Sequence, residues 1–201
     1  MIYHDKIFTA EECKEIRELM NISFIGKRAD AEKVQESTKV FYRNNLTLEW
    51  DISHLEETEW IFYRIVDWCK QQVPLIQRPN KELYVLEYLK GHHLKRHNDV
   101  WDNYSKRIWT FVAQLSEPED YKGSKTIVYQ DNKSNVLLKP EIGSCILFET
   151  KLDHEATIVT EGTRHSLVMC FEDEDVKKSK LKNFYDKATS KGDTFLNNFR
   201  I

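Results

Sequence analysis

The chain is poor in the residues that mark several specialised protein classes. Its 201 residues include only 6 glycines, 4 prolines and 4 cysteines, too few glycines and prolines for a collagenous or low-complexity protein. No window approaches 18 uninterrupted apolar residues, the length that a membrane-spanning helix needs. The opening residues MIYHDKIFTAEEC contain no basic segment followed by an apolar run, as a secretory signal would. We therefore expect a cytoplasmic protein with no membrane partner.

The cysteines are spaced unlike a disulfide framework or a zinc site. They lie far apart, none belongs to a CxxC pair, and each falls inside an apolar or amphipathic run. This pattern predicts buried, reduced thiols. The four positions are Cys13, Cys69, Cys145 and Cys170.

An excess of charge of one sign is also missing. Lys and Arg total 30 against 33 Asp and Glu, which gives a net charge of -3. A broad basic surface for nucleic acid is therefore disfavoured, although a local basic groove is compatible with these totals. With 40% hydrophobic and 31% charged residues, the composition is that of a globular protein, and the length fits a single domain over 1–201.

Two stretches predict amphipathic helices that pack against a sheet. Thr9 and Glu12 have the spacing of a capping box, in which each side chain accepts a hydrogen bond from the other's backbone amide, so a helix should begin there and end near Asn21. A second helix is predicted from Glu56 to Val73, where Pro74 stops it. The apolar positions at helical spacing are Cys13, Ile16, Leu19 and Met20 in the first helix and Trp60, Ile61, Ile65, Trp68, Cys69 and Val73 in the second.

From residue 83 onward, short runs rich in β-branched and aromatic residues alternate with turn residues. Such spacing is typical of an antiparallel sandwich or barrel, so the fold is predicted to be mainly β with flanking helices. We divide the domain into an N-terminal helical support (1–80), a β core (81–172) and a charged tail (173–201) with one closing helix around Leu181, Phe184 and Tyr185. The seven predicted strands are 83–89, 107–115, 125–130, 135–139, 144–149, 155–160 and 164–171.

Two histidines and one carboxylate within this β-rich block have the composition of a metal site. His97 and Asp99 are two residues apart, so they share a face if the segment is extended, and His154 follows in a predicted turn between two strands. Alone, a His-x-Asp tripeptide is more often a turn or a helix cap. Together, two imidazoles and one carboxylate leave open positions that suit non-haem Fe(II) with a co-substrate and O₂.

Arg164 and Ser166 open the last predicted strand and face the same way. The planar guanidinium group matches a carboxylate through two parallel hydrogen bonds. Arg164 is therefore a candidate anchor for the remote carboxylate of an oxo-diacid inside a barrel, with Ser166 beside it.

With these residues in place, the sequence resembles the Fe(II)/2-oxoglutarate-dependent dioxygenases, in particular the prolyl 4-hydroxylase-like branch. The likeness covers roughly residues 83–171, and the opening at 8–13 is also typical of that branch. The matching segments are Tyr88-Leu89-Lys90-Gly91, His97-Asn98-Asp99, Arg107-Ile108-Trp109-Thr110, Pro140-Glu141-Ile142-Gly143 with Leu147-Phe148, His154, and Gly162-Thr163-Arg164-His165-Ser166.

The resemblance implies a double-stranded β-helix, which is a jelly roll of the cupin-like type. It implies that His97, Asp99 and His154 bind Fe(II) and that Arg164 binds the far carboxylate of 2-oxoglutarate. It further implies an enzyme that hydroxylates an unactivated C–H bond with O₂ and releases succinate and CO₂. Tyr88 matches a tyrosine of the family's pocket, although a core role with an exposed hydroxyl group is equally compatible with its position.

Two departures from the family pattern affect the co-substrate pocket and a nearby turn. Gln114 stands where a tyrosine often contacts the co-substrate. Thr110 and Gln114 share one face of their strand, so both can donate hydrogen bonds into the pocket. The branch usually has Gly-Gly followed by a threonine or glutamate where this chain has Gly123-Ser124-Lys125-Thr126.

The substrate is predicted from the family branch and from Arg107. In relatives this position lies near the substrate, although an arginine at the start of a strand is usually solvated. We expect a small-molecule, amino-acid or peptide substrate resembling proline, with specificity set by the loops 100–106 and 117–125. Two alternatives are a nucleic-acid demethylase, which typically carries a second arginine where Cys170 stands, and a non-catalytic cupin-like binding protein.

Overall fold

The computed structural model describes residues 1–24, 43–44, 46–51, 58–74, 76, 78–100, 107–130 and 134–172. These residues form two α-helices, α1 (Ala10–Phe24) and α2 (Glu59–Gln72), and a short 3-10 helix (Pro118–Asp120). The strands are β1 (Ile2–Lys6), β2 (Arg43–Asn44), β3 (Leu46–Asp51), β4 (Arg78–Tyr88), β5 (His93–His97), β6 (Arg107–Gln114), β7 (Tyr121–Gly123), β8 (Thr126–Val128), β9 (Val136–Leu137), β10 (Ser144–Glu149), β11 (His154–Ala156), β12 (Val159–Gly162) and β13 (Arg164–Glu172).

The strands form two facing antiparallel sheets and a small separate ribbon. The larger sheet has the order β1-β10-β6-β13-β4-β3, the smaller has β2-β5-β11-β8-β9, and β12 pairs with β7. Val112 and Phe148 of the larger sheet pack with Val128 of the smaller one, so apolar side chains fill the space between the sheets. This architecture is a jelly roll, which confirms the predicted fold class.

The alternation of side chains along β6 separates two environments. Trp109 and Phe111 point to the outer face, where they pack with α1 and α2 in the main hydrophobic core. Thr110, Val112 and Gln114 point to the inner face between the sheets, as the two-residue period of a strand requires. Thr110 and Gln114 are fully buried polar residues, so the inner face carries groups that must be hydrogen-bonded or bound to a ligand.

The start of α1 has the predicted capping box. The Thr9 amide donates to the Glu12 carboxylate at 2.8 Å, and the Glu12 amide donates to the Thr9 hydroxyl oxygen at 3.1 Å. Just before it, the amide of Ile7 donates to the carbonyl of Gly143 at 3.1 Å. Gly143 has φ +81°, and a Cβ there would overlap the Phe8 carbonyl, so the chain needs glycine at this crossing.

The predicted helical support was incomplete, because residues 1–80 also contribute strands. β1 pairs with β10, β3 pairs with β4, and β2 pairs with β5. The run predicted at 155–160 is interrupted between β11 and β12, and β5 and β7 were not predicted. The start of the second helix at Glu56 and the closing helix of the tail lie outside the described residues; within them, α2 begins at Glu59.

The predicted state of the thiols is confirmed. Cys13, Cys69, Cys145 and Cys170 are all free and buried. Neither described helix is both long and apolar enough to cross a membrane.

Candidate metal centre

Two adjacent strands of the smaller sheet bring the predicted metal ligands together. His97 ends β5, His154 begins β11, and the two residues are direct cross-strand partners. The strand β5 ends at His97, so Asp99 lies just beyond it and not within an extended segment. The Asp99 carboxylate lies 3.5 Å from Nε2 of His97 and 3.6 Å from Nε2 of His154. One ligand atom from each residue lies within 4.8 Å of the others, as a shared metal ion requires.

Backbone carbonyl groups fix the orientation of both imidazole rings. Nδ1 of His97 lies 2.7 Å from the Lys95 carbonyl, and Nδ1 of His154 lies 3.2 Å from the Leu152 carbonyl. A carbonyl oxygen only accepts, so Nδ1 carries the hydrogen in both rings. The lone pair of the neutral ring is therefore on Nε2, which faces Asp99, and such carbonyl partners are typical of metal-bound histidines.

The electrostatics hold Asp99 and His154 in the protonation states that bind metal. Burial alone would raise the pKa of Asp99, but the neighbouring His97 and His154 and the Thr110 hydroxyl lower it to about 2. Burial lowers the pKa of His154, and this effect outweighs the attraction of Asp99. The site therefore presents a carboxylate together with a neutral His154, and metal ligands must be deprotonated in this way.

Thr110 contacts the metal centre directly. Its hydroxyl donates to Oδ2 of Asp99 at 3.0 Å and lies 3.1 Å from the hydroxyl of Thr150. The structure therefore places Thr110 as a support for a candidate ligand. The sequence had suggested a donor to the co-substrate.

Arg164 forms a second polar cluster between the two sheets. Its guanidinium group donates to Oε1 of Gln114 at 3.1 Å, to the hydroxyl of Ser124 at 3.2 Å and to the hydroxyl of Thr126 at 2.6 Å. All three acceptors are neutral, and no carboxylate of the described residues pairs with this cation. Because Arg164 is 1% exposed, burial lowers its pKa. A buried cation without a counterion is costly and fits a site that receives an anion.

Ser166 supplies a further group that is ready for a ligand. Its hydroxyl oxygen is buried and has no hydrogen-bond partner among the described residues. Two aromatic rings also line the cluster, with Tyr88 at 5.7 Å and Tyr121 at 5.9 Å from the guanidinium carbon of Arg164. Gln114 does not point a donor at Arg164, because its amide nitrogen donates to the Tyr121 hydroxyl at 3.0 Å.

The pairing of β6 with β13 fixes the spacing between the two clusters. Thr110, beside the metal centre, is the register partner of Cys170, and Gln114, beside the arginine, is the partner of Ser166. The clusters are thus four residues apart along β6, or about 13 Å between Cα atoms. Side chains that reach inward from both ends shorten this distance.

Arg107 lies at the start of β6, near the candidate metal ligand Asp99. It is half-buried, its guanidinium group hydrogen-bonds the Tyr84 side chain, and its positive charge interacts with the Asp99 carboxylate. The predicted substrate contact is therefore close to the candidate ligands. Of the two predicted specificity loops, residues 101–106 lie outside the described residues, and 117–125 form the 3-10 helix and β7.

The sequence analysis missed several residues of the arginine cluster. Ser124 and Thr126 lie two residues apart, just before and at the start of β8, and the two-residue period of a strand predicts that they share a face. No such local pattern indicates Tyr121. Nε2 of His165, the residue after Arg164, lies 3.2 Å from Oε2 of Glu87. His92 and His93 lie outside the three-residue metal cluster.

A family comparison agrees with this geometry. Residues 83–172 match the model of the 2OG-Fe(II) oxygenase superfamily. This segment is similar to that superfamily. The matched segment contains both polar clusters, and the cofactor set of that superfamily, Fe(II), 2-oxoglutarate and O₂, is the one expected from the sequence. His97, Asp99 and His154 form the candidate iron site within it.

Similar proteins extend this likeness. The uncharacterized protein FPV006/FPV255 of fowlpox virus is 32% identical over 82 residues, which are 40% of this chain and 18% of that protein. The chain thus spans less than a fifth of that viral relative, and the match lies within less than half of this chain.

Solved structures share the fold of the matched segment and its supports. A prolyl-4-hydroxylase from Pseudomonas putida has a TM-score of 0.61 at 16% identity, covering 86% of this chain and 92% of that one. The viral collagen prolyl hydroxylase of Paramecium Bursaria Chlorella virus-1, solved with 2OG, scores 0.64 at 18% identity over 86% and 96%. A Trichoplax adhaerens prolyl hydroxylase in complex with a hypoxia inducible factor peptide fragment scores 0.64 at 12% identity over 86% and 83%.

Proposed function

We propose that the protein is an Fe(II)- and 2-oxoglutarate-dependent dioxygenase that hydroxylates a proline-like, amino-acid or peptide substrate. The observation that carries this proposal is the pairing of a two-histidine, one-carboxylate cluster with a buried arginine that has no described counterion. A metal cluster alone would suit many ions, and an arginine alone would suit many anions. Together in the space between the two sheets, they suit a metal and a dicarboxylate bound side by side.

The donor set fits this cofactor. His97, Asp99 and His154 would hold Fe(II) through two imidazole nitrogens and one carboxylate oxygen, with other coordination positions open. Nε2 of His97 lies 3.5 Å from Oδ1 of Asp99, and Nε2 of His154 lies 3.6 Å from Oδ2. Ligand bonds of about 2.0–2.2 Å put neighbouring ligand atoms about 3 Å apart, so the three ligand atoms, which lie within 4.8 Å of one another, must move closer together when a metal binds. Arg164 and Ser166 would hold the distal carboxylate of 2-oxoglutarate, the first through its guanidinium fork and the second through its unpartnered hydroxyl.

The bound cofactor set supplies one chemical capability: O₂ oxidises 2-oxoglutarate to succinate and CO₂ and inserts one oxygen atom into a C–H bond of the substrate. The protein residues bind and orient the cofactors and the substrate. Thr110 holds the Asp99 carboxylate, and the apolar inner faces of both sheets exclude water around the reacting groups. Asp99 would fill one coordination position of the metal with its carboxylate.

The proline-like substrate rests on the likeness to prolyl hydroxylases and on Arg107. This arginine lies beside the metal cluster and hydrogen-bonds Tyr84, so its donors are held near the reacting atoms. A guanidinium group at that place can bind a carboxylate or a backbone carbonyl of an amino acid or peptide.

The test is an aerobic screen of amino acids and prolyl peptides for substrate-dependent succinate, with product mass increased by one oxygen atom. We expect one iron per chain after anaerobic reconstitution, and loss of turnover in His97→Ala, Asp99→Ala and His154→Ala. His4→Ala, at an exposed histidine of β1, is the matched control and should keep both iron and activity. Full iron occupancy in His154→Ala would contradict the ligand assignment, and robust turnover only with methylated nucleic acid would contradict the substrate class.

A further inference from the structure

We propose that Asp153 is a positioning residue that clamps together the two strands carrying the candidate iron ligands and thereby raises the affinity for the metal. This role depends on the proposed function, since it presupposes a metal at His97, Asp99 and His154. Asp153 is not itself one of the three ligands.

The clamp uses both oxygens of one carboxylate. Oδ2 accepts a hydrogen bond from Nε of Arg96 at 2.9 Å, and Oδ1 accepts one from Nδ2 of Asn98 at 3.2 Å. Arg96 and Asn98 are the two residues that flank His97, and Asp153 directly precedes His154. The side chain of one residue next to a candidate ligand therefore grips both neighbours of the other histidine.

A third segment holds the clamp from the side. The amide of Tyr129 donates to the Asp153 carbonyl at 2.8 Å, and the guanidinium carbon of Arg96 lies 4.1 Å from the centre of the Tyr129 ring. The Tyr129 hydroxyl donates to Glu155 at 2.6 Å. Tyr129 thus orders both members of the Arg96–Asp153 pair.

The backbone pairing of β5 with β11 does not by itself fix the separation of the two candidate histidine ligands. β11 and β5 are partners at His154 and His97, but their register shifts between His154 and Ala156. An irregular ladder constrains the separation of the two imidazoles less than a regular one does. Side-chain hydrogen bonds across the same two strands supply the missing constraint, and a metal site needs its ligands held to within about 0.5 Å.

The clamp is placed to influence metal binding more than folding. The side chains of Arg96 and Asp153 are 55% and 36% exposed, and exposed ion pairs contribute little to stability. By contrast, loss of a residue that orients a metal ligand typically lowers metal affinity about 10- to 100-fold. A purely structural residue would change the unfolding temperature instead.

The experiment titrates metal-free protein with Fe(II) under anaerobic conditions, by calorimetry, and records the unfolding temperature of each metal-free variant. We expect Asp153→Ala to raise the Kd for Fe(II) about 10- to 100-fold and to change the unfolding temperature little. Asp153→Asn keeps one acceptor oxygen and should lose less affinity. Asn98→Ala should also lose less, and combining it with Asp153→Ala should add nothing, because that contact is already gone. Glu141→Ala removes an exposed carboxylate that pairs with Lys6 at 3.2 Å and should bind Fe(II) normally.

The outcomes separate this role from the proposed function. Unchanged Fe(II) affinity in both Asp153 variants, beside normal binding by the unmutated protein, would overturn the clamp alone. Absence of Fe(II) binding by the unmutated protein would overturn the proposed function and the clamp with it. If Asp153→Ala fails to fold, Asp153→Asn and Asn98→Ala carry the test, and normal affinity in both would refute the clamp.

Discussion

Replacement of Arg164 by methionine should abolish recognition of the distal carboxylate of 2-oxoglutarate while leaving the metal centre whole. The guanidinium group is buried and hydrogen-bonds only neutral partners, Gln114, Ser124 and Thr126. Methionine is of similar length but carries no charge or donor. Since the His97 and Asp99 side chains belong to the other cluster, Arg164→Met should not weaken the binding of Fe(II).

The size of the effect follows from the burial of the charge. Loss of one partner of a desolvated, hydrogen-bonded charge pair costs about 2–5 kcal/mol, so the Kd for 2-oxoglutarate should rise roughly 30-fold or more. Arg164→Lys keeps the charge but loses the planar fork, so its Kd should lie between those of the wild type and Arg164→Met. The ligand-free protein should not be strongly destabilised by Arg164→Met, because the change also removes a buried charge that has no described counterion.

The assay is a calorimetric titration of Fe(II)-loaded protein under anaerobic conditions with two ligands. 2-Oxoglutarate carries the distal carboxylate, and 2-oxopentanoate has the same 2-oxo acid group without it. Arg164→Met should weaken the first ligand strongly and leave the second unchanged. An unchanged ratio of the two affinities would refute the assignment and would show that another cation, such as Arg107 or Lys139, binds that carboxylate.

Three further predictions address the substrate, the thiols and the fold. Arg107→Ala should reduce substrate-dependent succinate formation and spare the slow turnover of 2-oxoglutarate without substrate; equal loss of both in a coupled assay would assign the residue to the structure or the co-substrate pocket. The native protein should resist thiol alkylation at pH 8, because burial raises the thiol pKa values, that of Cys13 to about 12, and keeps the thiolate scarce. Mass spectrometry should find all four cysteines labelled only after the protein is unfolded. Rapid labelling of the native protein would contradict this prediction. Gly143→Ala should lower the unfolding temperature more than Gly91→Ala. Both glycines have positive φ, which costs an alanine about 1–2 kcal/mol, but of the two only Gly143 faces a backbone carbonyl, that of Phe8. Equal shifts in unfolding temperature would refute the steric explanation.

The sequence was sufficient for elements whose signal is local. The capping box of Thr9 and Glu12 needs only four residues, and the apolar run of β13 can be recognised from its own residues. β5 was missed because HLKRH contains no β-branched or aromatic residue; it becomes a strand through its partners β2 and β11. Strand preference depends strongly on such tertiary context. β1 pairs with β10 in the same way, across 138 or more positions of the chain.

The site residues also differ in how far the local sequence predicts them. The candidate ligands and Arg164 were found because their residue types and spacing are chemically specific. Asp153 was not singled out, although it precedes His154 in the sequence, because its role arises from cross-strand contacts with Arg96 and Asn98. The Tyr121 hydroxyl accepts a hydrogen bond from Gln114, and no local sequence pattern predicts this contact. Residues that support a site through packing are therefore harder to predict than residues that bind.

Strand β6 explains why the two clusters should act as one site. Thr110 contacts the metal cluster, Gln114 contacts the arginine, and the apolar Val112 lies between them on the same inner face. A metal dication at one end and the buried guanidinium of Arg164 at the other would repel each other across a medium of low dielectric constant. A dianion that contacts both relieves this repulsion, so metal and 2-oxoglutarate should each raise the affinity for the other by the same factor. The fold thus makes a dicarboxylate a better partner for this cavity than either a lone metal or a monocarboxylate.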